Sequence, residues 1–335
     1  MIDDERYMRR ALQLASLASG ETTPNPLVGA VIVHDGHIIG EGYHHRSGQP
    51  HAEVMAVASV KQRELLPHAT LYVTLEPCAH YGKTPPCAEL ILRERIPRVI
   101  VAMEDPFAQV AGRGLALLRE AGVEVEVGLL RDEAWSLNRP FLTTQLKRRP
   151  WVTLKWAQSI DGYMDRLRMD RSLAPVHFSS PLQLRRVHAV RQQHDAILVG
   201  YRTALLDNPQ LTNRLWYGGH PIRIVLDRDL QLPLDLALFT DGKSSTWVIH
   251  SAQAMPTEAH LACAGVRYLA LDGKKLLPHE ILERLYQEGI QSLLIEGGGQ
   301  TLQEFIDARC YDDMYIEVAP QILGAGRKAP HLPIL

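Results

Sequence analysis

The chain has 335 residues, enough for two domains of ordinary size, and 46% of them are apolar and 22% charged. A formal net charge of -2 at pH 7 argues against a protein that grips a long polynucleotide with a basic surface. Four cysteines make no disulfide framework, no apolar run approaches the roughly 18 residues that span a membrane, and the acidic N-terminus is unlike a secretory signal. The composition therefore predicts a cytoplasmic protein that binds neither nucleic acid nor membrane.

The first part of the chain alternates between helical and extended patterns, which indicates a layered α/β sheet. The expected helices cover residues 4–19, 51–60, 86–91 and 115–121, and the expected strands cover 28–33, 38–42, 71–75, 99–102 and 123–127. The stretches Asn138-Arg139-Pro140-Phe141 and Lys147-Arg148-Arg149-Pro150 are interpreted as a domain boundary. We therefore expect two domains, residues 1–146 and 147–335.

Four residues of the first domain have the spacing of a catalytic zinc site. His51 and Glu53 form a His-x-Glu sequence at a predicted helix start, and Cys78 and Cys87 flank a predicted strand-to-helix connection. Zinc prefers four N or S ligands, and a catalytic site keeps one position for water, whose pKa the metal lowers. We predict that His51, Cys78 and Cys87 hold one zinc ion and that Glu53 transfers protons. The matching electrophile is an amidine-like ring carbon that loses its exocyclic amine as ammonia.

Two further segments of this domain have both a structural and a functional interpretation. Eight residues separate the two cysteines and include His80 and Lys83. They are either a solvated loop or a loop that contacts an anionic group of the substrate. Asn25 lies between two prolines, and it either satisfies its own turn or binds the polar edge of a substrate ring.

The second half predicts a further α/β unit. Strands are expected over residues 151–157, 195–200, 222–227, 246–249 and 292–296, and helices over 181–193 and from 300 to 307. Glycines 297–299 separate a strand from a helix, so they form either a tight turn or a phosphate site at the free N–H groups of the helix start. The pattern is not Gly-x-Gly-x-x-Gly, which excludes a Rossmann assignment.

At the level of whole motifs, the chain resembles the bifunctional deaminase/reductase family of riboflavin biosynthesis. The matching segments are residues 24–29, 51–53, 74–87, 105–106 and 112–114 in the first half, and 155–162, 195–200, 207–214 and 296–299 in the second. The eight-residue spacing between the cysteines, with its internal histidine, distinguishes this family from other zinc deaminases. The resemblance implies a cytidine-deaminase-like fold for the first domain, which deaminates a diaminopyrimidinone that carries a phosphoribosylamino group. Asn25, His80 and Lys83 would then contact this substrate.

For the second domain, the resemblance implies a fold like that of dihydrofolate reductase, which uses NADPH to reduce the ribosyl group to a ribityl chain. The residues implied to bind NADPH are Ala157, Thr203, Asp207, Gly298, Gly299, Gln300, Thr301, Leu302, Gln303 and Glu304. Those implied to bind the substrate are Arg191, Leu211, Arg214 and Glu296. By its pattern alone, Arg191 fits a solvated helix face shared with Arg185 and Arg186. Hydride transfer needs no protein nucleophile, so no catalytic residue is assigned here. The family also implies a homo-oligomer.

Two departures from the family pattern concern the second domain. After Asp161-Gly162 comes a longer, highly charged stretch over residues 163–172, and His177-Phe178-Ser179-Ser180 stands where the family has a Trp-Ile-Thr sequence. The chain also stops at Leu335, where family members continue for a strand or two. These departures leave open an alternative: a deaminase whose reductase-like domain has lost its activity.

Overall fold

The computed structural model describes residues 2–81, 85–106 and 112–333, and it divides the chain into two units, Met1–Lys147 and Arg148–Leu335. The first unit is built on one mixed sheet with helices on both faces. Its strands are β1 Gly29–His34, β2 His37–Tyr43, β3 Thr70–Val73, β4 Arg98–Val101 and β5 Glu124–Val127. Its helices are α1 Ile2–Ser16, α2 Ala52–Ser59, α3 Cys87–Arg93, α4 Arg113–Glu120, α5 Arg131–Leu137 and α6 Arg139–Lys147, with a 3-10 helix over Arg63–His68.

The sheet of the first unit has the order β2-β1-β3-β4-β5. β1 pairs with β2 and β3 in antiparallel fashion, whereas β3, β4 and β5 are parallel. Successive side chains of a strand point to opposite faces. Accordingly, Ile32 and Val99 pack into one hydrophobic cluster with α2, α3 and α4, while Val31 and Ile100 pack into another with α1, α5 and α6. The expected layered α/β architecture is confirmed, and each expected element is present with its ends shifted by a few residues.

The region around Asn138 corrects one interpretation made from the sequence. Residues 138–141 are not a domain boundary, because Asn138 joins α5 to α6 and residues 139–141 begin α6, inside the first unit. Asn138 is buried, its side-chain oxygen accepts a hydrogen bond from the Leu27 N–H at 2.8 Å, and its amide donates to the Leu27 carbonyl at 3.0 Å. This asparagine fixes the backbone two residues beyond Asn25. Proline and basic residues resemble a boundary in sequence, but Pro140 lies in the first turn of α6, where a missing N–H costs nothing.

The second unit is built on a parallel sheet of seven strands in the order β11-β10-β9-β8-β12-β6-β13, with a separate antiparallel pair β14-β7. Its strands are β6 Trp151–Ser159, β7 Tyr163–Asp165, β8 Ala196–Gly200, β9 Ile222–Leu226, β10 Thr246–Ser251, β11 Val266–Leu271, β12 Ser292–Gly297, β13 Asp313–Ala319 and β14 Arg327–Lys328. Its helices are α7 Pro181–Gln192, α8 Tyr201–Asp207, α9 Ala237–Thr240, α10 Glu258–Leu261, α11 Pro278–Gln287 and α12 Gly299–Asp307.

Both faces of this parallel sheet are covered. Leu198 and Ile295 belong to a cluster that includes residues of α11 and α12, while Val199 and Leu294 belong to a cluster on the other face. A parallel sheet buried on both faces places its ligands at the carboxyl edge of the strands. Over the described ranges of the chain, no helix has both the length and the apolar character needed to cross a membrane.

Candidate active sites

The four residues predicted for a zinc site are held by the starts of two helices and the end of one strand. His51 caps the N-terminus of α2 with an extended backbone, and Glu53 lies in the first turn of that helix with only 3% of its surface exposed. Cys78 follows β3, and Cys87 is the first residue of α3. Two helix starts and one strand end therefore converge on one point.

The separations between the three predicted ligands fit a tetrahedral metal ion. The Nδ1 atom of His51 lies 3.6 Å from the Cys78 sulfur and 3.4 Å from the Cys87 sulfur, and all three ligand atoms lie within 4.8 Å of one another. Zinc–nitrogen and zinc–sulfur bonds of about 2.0 and 2.3 Å at tetrahedral angles place N and S about 3.5 Å apart. One imidazole and two thiols are also the donor set that zinc prefers. The site fits zinc with three protein ligands and an open fourth position.

The local backbone favours a thiolate at Cys78. The Cys87 N–H donates to the Cys78 sulfur at 3.3 Å, and the Ala88 N–H donates to the Cys78 carbonyl at 3.1 Å. The hydrogen bond from the Cys87 thiol, together with His51, lowers the pKa of Cys78 below that of an ordinary thiol. A thiolate is the form of cysteine that binds a metal.

Glu53 is placed for proton transfer. Its burial raises the pKa of the carboxyl group to about 7, and the charge of Cys78 adds to this effect. A carboxyl group with a pKa near the working pH can both accept and release a proton, which is what general acid–base catalysis requires.

Glu76 is a buried residue whose role in the zinc site was not found from the sequence. Its carboxylate accepts hydrogen bonds from the N–H groups of Asp105 at 3.2 Å, Gly112 at 3.0 Å and Gly114 at 3.0 Å. A β-carbon on Gly114 would lie 1.9 Å from the Pro77 carbonyl oxygen, so only glycine permits this approach. These contacts fix the turn that carries Cys78.

Asn25 is oriented by a histidine that sequence reasoning missed. The amide nitrogen of Asn25 lies 3.0 Å from His44 Nε2, and His44 Nδ1 lies 3.1 Å from the Pro50 carbonyl. Burial lowers the pKa of His44, so the neutral ring donates to Pro50 and accepts from Asn25. The His44 and His51 rings are 5.6 Å apart, which places Asn25 beside the metal cluster. The signal was weak, because His44 follows a strand in an ordinary His-His pair.

The loop between the two cysteines is only partly described. His80 is exposed beside Cys78, as a substrate contact at the mouth of a site would be. Lys83 lies outside the described residues.

The second unit contains a cavity of about 1260 Å³ along the carboxyl edge of its sheet. The neighbouring strands β9, β8, β12 and β6 end there. Their residues in the cavity wall include Leu226, Gly200, Glu296 and Ala157, respectively. A β-carbon on Gly200 would lie 2.3 Å from Thr301 Oγ1, so the starts of α8 and α12 are packed side by side. The start of α12 lines this cavity, and free N–H groups at a helix start can bind phosphate.

Most of the residues implied to bind NADPH line this cavity. They are Ala157, Thr203, Asp207, Gly298, Gly299, Gln300, Thr301 and Glu304. Leu302 is fully buried in the hydrophobic core, and Gln303 bonds to Asp307 and to the backbone of His331. The side chains of these last two residues therefore serve the packing of α12 and lie outside the cavity wall. The volume and the glycine turn fit an extended dinucleotide.

The four residues implied to bind the substrate lie together, but two of them are already paired. Arg191 donates to both carboxylate oxygens of Glu296, at 2.8 and 2.7 Å, and to the Thr212 carbonyl at 3.0 Å. Burial opposes ionisation of Glu296, yet Arg191 lowers its pKa to about 2. Leu211 is buried, and the Arg214 N–H donates to His188 on α7. Of the four, only Glu296 reaches the cavity, and Arg191 is not on a solvated face.

Replacing Arg191 by Met is expected to destabilise the second unit by about 3–5 kcal/mol, because the Glu296 carboxylate would remain buried without its partner. Urea unfolding of this variant and of R185M, on the exposed face of the same helix, measures the effect. The pKa of Glu296 in the folded state lies below its ordinary 4.5, so its ionised form stabilises the fold above about pH 4.5, and this contribution is lost as the pH falls toward 2. The difference in the free energy of unfolding between wild type and R191M should therefore become smaller between pH 4.5 and pH 2.

Equal free energies of unfolding for wild type and R191M at pH 7 would contradict the assigned ion pair.

The segment that departs from the family pattern also lines this cavity. Tyr163–Asp165 forms β7 and pairs with β14, and residues 164–166 and 175–179 face the cavity. His177 and Phe178, which stand in the sequence where the family has its tryptophan segment, are therefore part of the cavity wall. An aromatic side chain is still available at this place.

Comparisons with known proteins agree with both sites. The family model for the cytidine and deoxycytidylate deaminase zinc-binding region matches residues 1–103, and the model for the RibD C-terminal domain matches residues 150–333. The riboflavin biosynthesis protein RibD of Aquifex aeolicus is 41% identical over 324 residues, which cover 96% of this chain and 88% of the relative. RibD of Escherichia coli is 36% identical and covers 97% of this chain and 89% of the relative. The chain belongs to the RibD family.

Solved structures of the RibD family have the same fold. A deaminase/reductase from Thermotoga maritima is 38% identical with a TM-score of 0.86, and the match covers 97% of this chain and 89% of that one. RibD of Acinetobacter baumannii is 36% identical, also with a TM-score of 0.86, over 98% of this chain and 89% of that one. The protein is thus a bifunctional riboflavin-biosynthesis enzyme, a deaminase that uses zinc and a reductase that uses NADPH. The family assignment favours this over the alternative of a deaminase alone.

Proposed function

We propose that residues 1–146 deaminate diaminohydroxyphosphoribosylaminopyrimidine and that residues 147–335 reduce the product, 5-amino-6-(5-phosphoribosylamino)uracil, with NADPH to its ribityl form. The observation that carries the first half is the cluster of His51, Cys78 and Cys87 beside the buried Glu53. The Thermotoga maritima relative is described by these two activities, which supports the choice of substrate.

In the deamination, His51, Cys78 and Cys87 would hold zinc, which would act as a Lewis acid toward water. Glu53 takes one proton from the attacking water and passes it to the ring nitrogen. It then moves the proton of the new hydroxyl group to the amine, which leaves as ammonia. Water is consumed and ammonia leaves, so the ring carbon ends as a carbonyl. The burial of Glu53 keeps bulk water away from this relay.

Substrate orientation is assigned to residues around the cluster. The amide of Asn25, held by His44, faces the polar edge of the pyrimidine ring. His80 and Lys83, in the loop between the cysteines, contact the phosphoribosyl group, where positive charge complements the phosphate. Neither residue takes part in bond breaking.

In the reduction, NADPH supplies the hydride, and the protein orients the two reactants. NADPH would bind in the cavity at the carboxyl edge of the sheet, which is lined by Ala157, Thr203 and the start of α12. Glu296 lies at the same edge, and Arg191 holds it ionised. Glu296 would orient the ribosyl group of the substrate in this cavity, and Arg191 would act through Glu296.

The setting of the enzyme follows from the same residues. Two zinc thiolates need a reducing compartment, which supports a location in the cytoplasm. A net charge of -2 does not favour binding to nucleic acid. Binding of RNA that weakens strongly as the salt concentration rises would contradict this. We also propose a homo-oligomer on the basis of the family resemblance, and light scattering tests it.

A coupled assay tests the bifunctional proposal. The pure diaminopyrimidine ribotide is incubated with the full chain, with and without NADPH, and the products are separated by chromatography. We expect the deaminated uracil to accumulate without NADPH and the ribityl product to form with it. Accumulation of the uracil despite NADPH would contradict the reductase half, whereas an unchanged substrate would contradict the deaminase half.

A further inference from the structure

Arg168 is a buried arginine in the middle of an exposed, charged segment. Only 6% of its surface is exposed, whereas its neighbours Leu167 and Met169 are 69% and 90% exposed. Burying a guanidinium group requires partners for its donors. Its position between two exposed apolar residues therefore marks a specific site within residues 165–176.

The donors of Arg168 reach two carboxylates and two backbone carbonyls. Its Nε donates to Asp165 at 2.7 Å, and its Nη2 donates to Asp207. Its Nη1 lies 3.3 Å from the Leu206 carbonyl and 3.4 Å from the Leu173 carbonyl. Arg168 thus links the segment to itself and to the end of α8, which carries Asp207.

Asp165 closes the same segment on the other side. Its second carboxylate oxygen accepts from the Val176 N–H at 3.0 Å and from the Arg166 N–H at 2.8 Å. The two ends of residues 165–176 are therefore joined at one carboxylate, which Arg168 also binds. Asp165, Arg166, Arg168 and Val176 all line the reductase cavity, so this network forms part of its wall.

Charged side chains on this wall would attract or repel NADPH, because its phosphate groups carry negative charge. Asp165 and Asp207 both face the cavity, and burial raises the pKa of Asp207 while Arg168 opposes that effect. Without Arg168, two carboxylates would face an anionic ligand at short range, and like charges repel strongly where water is scarce.

We propose that Arg168 is a positioning residue for NADPH. Its hydrogen bonds hold residues 165–176 in place as one wall of the reductase cavity, and its positive charge offsets the negative charges of Asp165 and Asp207. This inference rests on the NADPH cavity assigned under the proposed function. The segment around Arg168 departs from the family pattern, so this part of the cavity is formed by residues particular to this chain.

The test compares the full chain with R168M, R168K and R186M, the last a control on the exposed face of α7 outside the cavity. NADPH binding is measured by calorimetry, and trypsin cleavage after Arg166 and Arg171 reports on the fastening of the segment. We expect R168M to bind NADPH about tenfold more weakly or worse, since several charge-assisted hydrogen bonds are lost. The Kd of R168K for NADPH should lie between those of R168M and wild type, because lysine keeps the positive charge but lacks the planar guanidinium group. R186M should match wild type.

The kinetic signature separates positioning from general loss of structure. In R168M the KM for NADPH should rise with the Kd, while kcat at saturating NADPH changes far less. Trypsin should cut the segment faster in R168M, and NADPH should protect the wild type. If R168M does not fold, R168K carries the test, with a weaker Kd expected.

Two results overturn the inference and are distinguishable. A wild type that binds NADPH, with R168M and R168K binding it equally well, overturns the role of Arg168 alone. A folded wild type that does not bind NADPH overturns the cavity assignment and this inference with it.

Discussion

Replacing Glu53 by Gln is expected to lower the deamination rate by about 10²–10⁴-fold, the usual contribution of a positioned general acid–base group. Glutamine keeps the size of the side chain but cannot accept the proton from water. The zinc ligands are untouched, so the variant should still contain zinc. The measurement is ammonia release from the diaminopyrimidine ribotide, together with metal analysis of the same sample.

Two controls make the E53Q result specific. E64Q changes an exposed glutamate eleven positions away in the same unit and should leave ammonia release unchanged. Reduction of added 5-amino-6-(5-phosphoribosylamino)uracil should continue in E53Q, since the second unit has its own cavity. Normal ammonia release by E53Q would show that the proton shuttle is assigned to the wrong residue.

Replacing Cys87 by Ser is expected to remove zinc and abolish deamination. The hydroxyl is a far weaker ligand than a thiolate, and three protein ligands leave no replacement. Cys87 is also the first residue of α3, and its backbone N–H donates to the Cys78 sulfur. The substitution keeps this N–H, so the loss of zinc is assigned to the missing thiolate. Zinc content by metal analysis should fall from about one ion per chain to near zero after dialysis against a chelator.

The matched control is Cys263, a half-buried cysteine of the second unit whose sulfur lies 3.5 Å from the Ala259 carbonyl. C263S should keep its zinc and its deaminase rate. A C87S protein that retains stoichiometric zinc would contradict the assigned ligand set.

Several features of this protein could be predicted from local sequence. The His-x-Glu pair, the two cysteines and their helix and strand flanks indicated a metal site, because ligand chemistry is a property of residue type and short spacing. The continuous apolar run at β1 indicated a buried strand, and the apolar residues at β3 indicated another strand. The glycines before α12 indicated a turn between a strand and a helix for a similar local reason, but whether that turn binds a ligand was left open.

Other features depend on contacts between distant parts of the chain. His44 matters because its ring meets Asn25 and lies beside His51, and only the packing of β2 against α2 brings it there. Arg191 looked like a solvated arginine, yet it pairs with a glutamate 105 positions away. Asn138 looks like part of a domain boundary in the sequence, yet its side-chain oxygen accepts a hydrogen bond from the Leu27 N–H.

The residues whose roles were missed are polar side chains buried by tertiary packing. Periodicity identifies an apolar face, but it does not say which distant partner satisfies a buried charge. The sequence by itself thus determined the chemistry of the zinc site, the two-unit α/β organisation and the family. Only the tertiary structure decided which charges are paired, how Asn25 is held, and that the atypical segment around Arg168 forms a wall of the reductase cavity, because each depends on groups brought together across the folded chain.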